Sequence, residues 1–262
     1  MALRTVTLVL LSLTLSAYAY SETNLRATNN NVPIHLGTAD NFAVLGGSGI
    51  TNVSANTFII GDVGSSPTPK VTGLTQSQVK GHLYLKSSSV TAKAQKGLLV
   101  AYDDAVAAPC GNDLTGKDLG GMRLGPGVYC FSSSAQLTGT LTLDSHGNPN
   151  AQWIFQTGSS LTTASNSTVK IILGKKELKE SVCKKWHRGC NVYWQIGSSA
   201  TVGSGSTFVG IIMALESITL DGGVLRGKAL ARNGAVTMST QETIDGPACH
   251  RHGHVVVALP QN

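Results

Sequence analysis

Charged and aromatic side chains are scarce in this sequence. Of its 262 residues, 13% are charged and 5% are aromatic, whereas soluble domains carry roughly 25% charged residues on average. Glycine is frequent, with 30 residues, and serine and threonine are abundant. A surface so poor in charge indicates that its uncharged polar groups serve a purpose other than solvation.

One enzymatic class to consider is the enzymes that cleave glycans, which need a pair of acids or a metal on one face. The carboxylates of this sequence are not grouped in that way. The acidic residues are scattered over a helical segment, turns and single strand positions: Asp103, Asp104, Asp144, Asp221, Glu216 and Glu242. Asp62, in the phrase GDVG, suits hydrogen bonding to turn amides better than catalysis. No Ser/His/Asp arrangement is found either, so we expect neither an enzyme nor a cofactor.

Long apolar runs are missing except near the N-terminus. Residues 1–19 combine Arg4, an apolar run from Val6 to Leu15, and Ala17-Tyr18-Ala19 as a cleavage site, which is the pattern of a secretory signal peptide. A membrane anchor is the alternative, but the run is shorter than the roughly 20 residues of a membrane span. We predict secretion to the extracellular space without membrane association, and a flexible polar lead-in over 20–32.

Five cysteines leave at least one thiol without an intramolecular partner. In an oxidising compartment two disulfides are plausible, and the pairs are Cys183 with Cys190 and Cys110 with Cys130. Cys249 is then unpaired or close to the end cap. The alternating histidines of Cys249–His254 offer zinc as a rival interpretation, but no further ligand set accompanies them. We therefore expect no metal site and a solvated tail over 250–262.

The net charge of +6 comes largely from one insertion over 174–191. It contains six basic residues: Lys175, Lys176, Lys179, Lys184, Lys185 and Arg188. Because this segment interrupts a repeat, a solvated loop is favoured over a nucleic-acid-binding patch. We expect no nucleic-acid partner.

A repeat organises the rest of the chain. Thr201, Thr219 and Thr237 recur 18 residues apart, and each stands between two apolar residues. This alternation is typical of strands with one buried face, and a short fixed period with glycines at the corners is typical of a solenoid. The sequence predicts a mainly β fold, a parallel β-helix, in a single domain over 33–249.

Alignment of upstream phrases onto this repeat extends the threonine set. QTGSSLTTASNSTV aligns on QIGSSATVGSGSTF, FSSSAQLTG aligns on FQTGSSLTT, and GGSGITNV adds a further strand. The predicted outward column is Thr51, Thr138, Thr162, Thr201, Thr219 and Thr237. Small residues two positions away are expected beside it: Ser160, Ser199, Ser217, Ala235 and Ser239.

A second, less uniform threonine set favours ordinary strand chemistry on another face. Its members precede apolar residues, with Val224 in one of the places: Thr57, Thr168, Thr207 and Thr243. One helix is predicted over about 90–108, with an apolar stripe of Leu98, Leu99, Tyr102 and Val106. We expect this helix to cover one face of the solenoid.

Two N-glycosylation sequons begin at Asn52 and Asn166. Asn52 adjoins Thr51, so a glycan there would lie near the threonine column unless the side chain faces inward. We expect Asn52 to be unmodified.

Several phrases resemble, in order, the large β-solenoid ice-binding (antifreeze) proteins of cold-living microbes, algae and fungi. They are FAVLGGSGITNV, GDVGSSP, LGGMRLGPGVYCF, WIFQTGSSLTT, VYWQIGSSATVGSGSTFVGIIMALESITL and GKALARNGAVTM, within about Ile34 to Gly246. The resemblance implies a right-handed, irregular parallel β-helix of triangular section with a long helix packed along one face. It further implies N-terminal strands stacked out of sequence order and a flat, helix-free face that adsorbs to ice through the threonine column.

The physical requirements of ice binding agree with this resemblance. Ice presents a regular array of water without charge, which suits many weak contacts on a rigid plane, and threonine has a stiff χ1 that limits the entropy lost on docking. The sequence predicts a monomeric, secreted ice-binding protein with thermal hysteresis and inhibition of ice recrystallisation. The alternative is a carbohydrate-binding or cell-surface adhesion module, which should show an aromatic platform. Trp153 and Trp194 fall at matching repeat positions and are instead expected in the core.

Overall fold

The computed structural model describes residues 32–148, 150–174, 176–177 and 189–246, with 176–177 described by backbone alone. Residues 1–31, which hold the predicted signal peptide and nearly all of the lead-in, lie outside the described residues. So do Cys183, most of the basic insertion, and the tail that contains Cys249–His254. Within the described part, no helix is long and apolar enough to cross a membrane.

Short strands and one long helix make up the described chain. The helix α1 spans Ser89–Ala107, and two 3-10 helices span Gly37–Asn41 and Gln76–Gln78. The strands in chain order are β1 Phe42–Gly46, β2 Gly49–Asn52, β3 Phe58–Ile60, β4 Asp62–Ser65, β5 Val71–Thr72, β6 Val79–Lys80, β7 Leu83–Tyr84, β8 Asn112–Asp113, β9 Arg123–Leu124, β10 Gly127–Phe131, β11 Ala135–Leu137, β12 Thr140–Asp144, β13 Trp153–Thr157, β14 Leu161–Thr163, β15 Thr168–Leu173, β16 Lys176–Glu177, β17 Val192–Ile196, β18 Ala200–Val202, β19 Ser206–Ala214, β20 Ile218–Leu220, β21 Gly223–Ala231, β22 Ala235–Met238 and β23 Glu242–Asp245.

These strands stack in parallel on three faces of a coil, which confirms the predicted parallel β-helix. The threonine face is a seven-stranded sheet in the order β11, β14, β18, β20, β22, β2, β5. The helix face contains β8, β10, β13, β17, the second halves of β19 and β21, β1, β4 and β7. The third face contains β9, β12, β15, the first halves of β19 and β21, β23, β3 and β6. The one antiparallel pair among the described strands joins β15 to β16.

The strands β19 and β21 run through two faces and bend at paired glycines. Gly210 lies opposite Gly227 in the register, and both have positive φ, of 124° and 153°. A Cβ atom on Gly227 would lie 1.8 Å from the carbonyl oxygen of Gly210, which is too close for any side chain. Only glycine therefore allows successive turns to bend at the same place while remaining hydrogen-bonded.

The N-terminal strands enter the stack out of sequence order, as the resemblance implied. β1 pairs with β21, β2 with β22 and β3 with β23. A buried ionic contact helps to hold them, because Lys228 Nζ donates to the carbonyl oxygen of Asp40 at 2.6 Å and lies 3.7 Å from its carboxylate. Burial lowers the pKa of Lys228 to about 8 despite the opposing effect of Asp40.

A stack of aromatic rings fills one end of the core. The ring centroids of Tyr129 and Phe155 lie 5.4 Å apart, and those of Phe155 and Trp194 lie 4.0 Å apart. Trp153 and Trp194 are buried, as predicted. They do not occupy matching positions, however, because Trp153 pairs with Val192 and Trp194 with Phe155. The stack shows that a core position keeps its aromatic character while the residue type changes.

Helix α1 lies across the helix face and is anchored there by polar side chains. Gln95 Nε2 donates to the carbonyl oxygens of Gly46 and Ala231, and Gln156 Nε2 donates to that of Ala105. The Tyr102 hydroxyl donates to Ile196 O and accepts from Gln195. These bonds satisfy the polar groups that the helix removes from solvent.

The buried stripe of α1 differs from the predicted one. Leu98 and Tyr102 are buried, but Leu99 and Val106 are 40% and 53% exposed. The remaining buried positions are mostly small: Thr91, Ala94, Ala101 and Ala105. These small residues let the helix approach the sheet closely. The larger side chains of Leu99 and Val106, on the adjacent side of the helix, point to solvent.

Both predicted disulfides include cysteines that the structure describes. Cys110 and Cys130 form a disulfide with a Cα–Cα distance of 5.9 Å, which confirms that pair. Cys190 is buried and disulfide-bonded, but its partner lies outside the described residues. The pairing of Cys183 with Cys190 therefore stays a prediction.

The buried carboxyl group of Glu242 makes stability depend on pH. Its side chain is 3% exposed, and burial raises its pKa to about 7 from 4.5, while the amide of Gly222 opposes this and Asp221 adds to it. Because the folded-state pKa is the higher one, the folded state holds the proton more tightly. The contribution of Glu242 to stability is fully present below pH 4.5 and is lost as pH rises through 7.

Glu242→Gln should remove this pH dependence, because the amide stays neutral. We expect the free energy of unfolding at pH 8 to rise by on the order of 1–3 kcal/mol and to change little at pH 4. Denaturant unfolding at both pH values measures the difference. Glu216→Gln, on the exposed surface, is the control, and an equal effect of Glu242→Gln at both pH values would contradict the prediction.

Candidate functional site

The threonine face carries a continuous column of outward side chains. The register aligns Gln136, Thr162, Thr201, Thr219, Thr237, Thr51 and Thr72 in that spatial order. Each central strand has its middle residue accessible between two buried neighbours, as in Leu161–Thr163 and Ile218–Leu220. Neighbouring strands lie roughly 4.7–4.9 Å apart, so the hydroxyl and methyl groups repeat at that interval.

A second row of small side chains runs beside this column. It consists of residues two positions earlier on successive strands: Ser134, Ser160, Ser199, Ser217, Ala235 and Gly49. The hydroxyl of Ser199 accepts from the amide of Ser217, and that of Ser217 accepts from the amide of Ala235, each at 3.2 Å. These bonds hold the side chains close to the backbone, so the surface stays level.

Five of the six predicted threonines lie in the column, and Thr138 does not. The alignment placed Phe131 opposite Phe155, but the structure pairs Tyr129 with Phe155 and Phe131 with Thr157. This shift of two residues brings Gln136 opposite Thr162. Thr138 lies just beyond β11, where its amide donates to the Asp118 carboxylate at 2.9 Å.

The structure adds Thr72, which the sequence analysis missed. Its hydroxyl lies 3.3 Å from that of Thr51. The strand that carries it contains only Val71 and Thr72. The apolar-threonine-glycine phrase Val71-Thr72-Gly73 is the only local signal.

Ser239, from the predicted neighbouring set, lies on the opposite flank of the column. It follows β22 directly and is partly accessible, and its amide donates to the carbonyl oxygen of Leu220. The nearest charged residues in sequence, Lys70 and Asp221, also stand at the margins, just before β5 and just after β20. The centre of the threonine face is therefore uncharged.

The other two faces are unlike the threonine face. Helix α1 covers much of the helix face. On the third face, the outward row contains Thr140, Thr168, Thr207, Val224, Thr243 and Phe58. Thr57 was predicted to belong to this set, but it is not in the row. Its side chain is buried, and its hydroxyl donates to Asn52 Oδ1. The adjacent outward row carries the charged residues Lys170, Arg226 and Asp245, so this face is neither uniform nor neutral.

No grouping suited to catalysis is found among the described residues. Within 32–148, 150–174 and 189–246, no cluster of three His, Cys, Asp or Glu side chains could hold a metal ion. Asp144 accepts hydrogen bonds from the amides of His146 and Gly174 and from Arg123. The bond from His146, followed by that from Arg123, holds the pKa of Asp144 below its usual value. This carboxylate organises a turn.

The protein is therefore a solenoid of the parallel β-helix class, with a helix over one face and a hydroxyl-bearing face whose centre is uncharged. Residues 44–244 match the family model described as ice-binding-like. The chain belongs to this family.

Relatives of known name and structure agree with this assignment. The chain is 43% identical over 251 residues to an ice-binding protein of Nostoc sp. (strain HG1), covering 95% of this chain and 86% of that protein. The crystal structure of an ice binding protein from an Antarctic biological consortium superposes with a TM-score of 0.71 at 37% identity, over 82% of this chain and 91% of that chain. The crystal structure of the ice-binding protein from the Antarctic ascomycete Antarctomyces psychrotrophicus superposes with a TM-score of 0.69 at 27% identity. The superposition covers 83% of this chain and 99% of that chain.

The orientation of Asn52 bears on its sequon. Its side chain is 5% exposed, and Nδ2, the atom that would carry a glycan, donates to the carbonyl oxygens of Ser54 at 2.6 Å and Gly73 at 2.7 Å. Asn166, in contrast, is exposed in a left-handed turn with φ 60°. A glycan on Asn52 would break both hydrogen bonds beside Thr51.

In a host that attaches N-glycans, we therefore expect Asn52 to remain unmodified in the folded, exported protein. Glycopeptide mass spectrometry checks this, with the Asn166 peptide as the internal comparison for an accessible sequon. Full occupancy at Asn52 would contradict the inward orientation of this side chain.

Proposed function

We propose that this protein is a secreted, non-enzymatic ice-binding protein that adsorbs to ice through the threonine face. The contact residues are the column Thr162, Thr201, Thr219, Thr237, Thr51 and Thr72, flanked by Ser160, Ser199, Ser217, Ala235 and, at one margin, Ser239. The observation that carries the proposal is the unbroken register of six threonines on a face whose centre is uncharged.

The chemistry of the column matches the demands of an ice surface. Ice offers no charge to pair with, so a lysine or glutamate would retain its own water shell instead of docking. Threonine presents a methyl group for a depression of the lattice and a hydroxyl group for ordered water. Its β-branched side chain has few rotamers to lose on binding.

The scaffold supplies the rigidity that many weak contacts require. Behind the column, Leu161, Ile218 and Val236 are essentially inaccessible to solvent, and close packing of such a core resists deformation. Because every strand of the face is held in register with its neighbours, the contacts form together. Their small individual free energies then add without a large cost of ordering the surface.

Adsorption to the crystal gives the expected activities. A bound molecule forces the ice front to grow as a curved surface between adsorption points, which lowers the freezing temperature and produces thermal hysteresis. Slow migration of grain boundaries past bound molecules inhibits recrystallisation. We propose that the protein acts as an extracellular monomer, with the ice surface as its partner and without nucleic-acid or membrane association.

The adhesion alternative, which should show an aromatic platform, gains no support from the two tryptophans. Trp153 and Trp194 are buried, so neither ring can stack on a sugar. Their indole nitrogens donate to the carbonyl oxygens of Leu124 and Val209 inside the coil. Both side chains serve the core.

Thr219→Tyr should abolish most thermal hysteresis, because a large ring in the middle of the column would lift the face from the ice. The same reasoning applies to Thr201→Tyr. Nanolitre osmometry measures the hysteresis, and ice-affinity partitioning measures retention on ice. Circular dichroism and thermal unfolding should show that both variants remain folded.

Thr207→Tyr is the matched control, since Thr207 has a similar partial exposure on a strand of the third face. Its hysteresis should equal that of the wild type. Unchanged activity of Thr219→Tyr and Thr201→Tyr would reject the threonine face as the site, and equal loss in Thr207→Tyr would indicate a general effect of the added ring.

A further inference from the structure

Gln136 takes the place of a threonine in the last position of the column, at one end of the threonine face. Its strand pairs in register with β14, so Gln136 faces outward beside Thr162. Its neighbours Ala135 and Leu137 are each 1% exposed, as the inward residues of the other strands are. The backbone therefore already continues the plane through this turn, and only the outward side chain differs.

The neighbouring serine row also continues past this point. The hydroxyl oxygens of Ser134 and Ser160 lie 3.0 Å apart, so the last full strand of the face presents the same small group as the strands before it. The flat surface could thus extend by one strand spacing, roughly 4.7–4.9 Å, if the residue at 136 were compatible with it.

Asp118, the next position along the stack beyond Gln136, marks the end of the face. Asp118 forms an isolated bridge to Gln136, and its carboxylate accepts from the amides of Gly120 at 2.7 Å and Thr138 at 2.9 Å. Partial burial acts to raise the pKa of Asp118, but the hydrogen bonds from Thr138 and Gly120 outweigh it and lower the pKa. An anionic group held there keeps its own hydration.

The side chain of Gln136 is poorly suited to the contact that its backbone position offers. It is exposed, and an amide presents two donors and one acceptor that hold water. Its several torsions must be fixed on docking, which costs more entropy than fixing one threonine χ1. A glutamine at this place also extends further from the sheet than the threonines beside it.

We infer that Gln136 sets the length of the ice-contacting plane at this end. The inference rests on the proposed function, and it assigns to one residue the boundary between binding and non-binding surface. At the opposite end, Thr72 completes the column on a two-residue strand, with its hydroxyl against that of Thr51. The two ends of the face therefore differ in side chain while sharing the same register.

Gln136→Thr should widen the gap between melting and freezing temperatures at equal molar concentration, because the column grows from six threonines to seven. The reciprocal variant Thr72→Gln, which shortens the column at the other end, should narrow the gap. Threonine suits an exposed strand position, and a glutamine already occupies an exposed position of this column at residue 136. Both proteins should therefore fold, and thermal unfolding checks this. Gln241→Thr makes the same substitution at an exposed residue outside the column and should leave hysteresis unchanged.

The outcomes separate this inference from the function on which it rests. If Thr219→Tyr loses activity while Gln136→Thr shows no gain, the boundary assignment is overturned and the proposed function stands. If Gln241→Thr gains as much as Gln136→Thr, the added hydroxyl acts regardless of place, and the assignment is likewise overturned. Full activity of Thr219→Tyr would instead remove the proposed function itself.

Discussion

The in-register hydrogen bonding between parallel strands is the constraint on which the rest of the structure depends. Successive side chains of a strand point to opposite sides, so a slip of one residue would turn a whole strand inside out. On the threonine face such a slip would expose Leu161 or Ile218, each at a cost of about 1.5–3 kcal/mol, and bury a threonine hydroxyl. The same register that protects the core therefore aligns the outward column, and the fold and the candidate site have one cause.

The three faces diverge because each uses its outward residues differently. Helix α1 occupies one face, with small side chains that allow close approach and with glutamine side chains that donate hydrogen bonds to the backbone carbonyls shielded from solvent there. The third face mixes threonines with the charged residues Lys170, Arg226 and Asp245. Charged side chains favour hydration, so this face stays solvated. The few charged residues are thus unevenly distributed, and the centre of the threonine face carries none. Under the proposed function, this asymmetry leaves one face of the coil for contact with ice.

The sequence was most informative where turns of the coil have equal length. The spacing of Thr201, Thr219 and Thr237 correctly predicted strands, outward threonines and the parallel stack, because the two turns between them have the same length. It failed at Thr138, where a match between two phenylalanines suggested a register two residues away from the true one. Aromatic identity is a weak guide there, since Tyr129, Phe155 and Trp194 fill equivalent core positions equally well. Thr72 was missed because a two-residue strand has too few positions to show a period.

The joining of distant segments could not be read from any local pattern. Thr51 continues the column beside Thr237, and Lys228 contacts Asp40 across 188 residues of chain, so the N-terminal strands pair with the last turns of the coil. Closing so long a loop carries an entropic cost that grows slowly with length, and the paired strands β1 to β3 offset it on all three faces at once. Two of the six threonines in the column, Thr51 and Thr72, lie in these N-terminal turns. The full length of the surface is therefore a property of the completed tertiary structure, and a shorter chain holding only the regular repeats would present a shorter column.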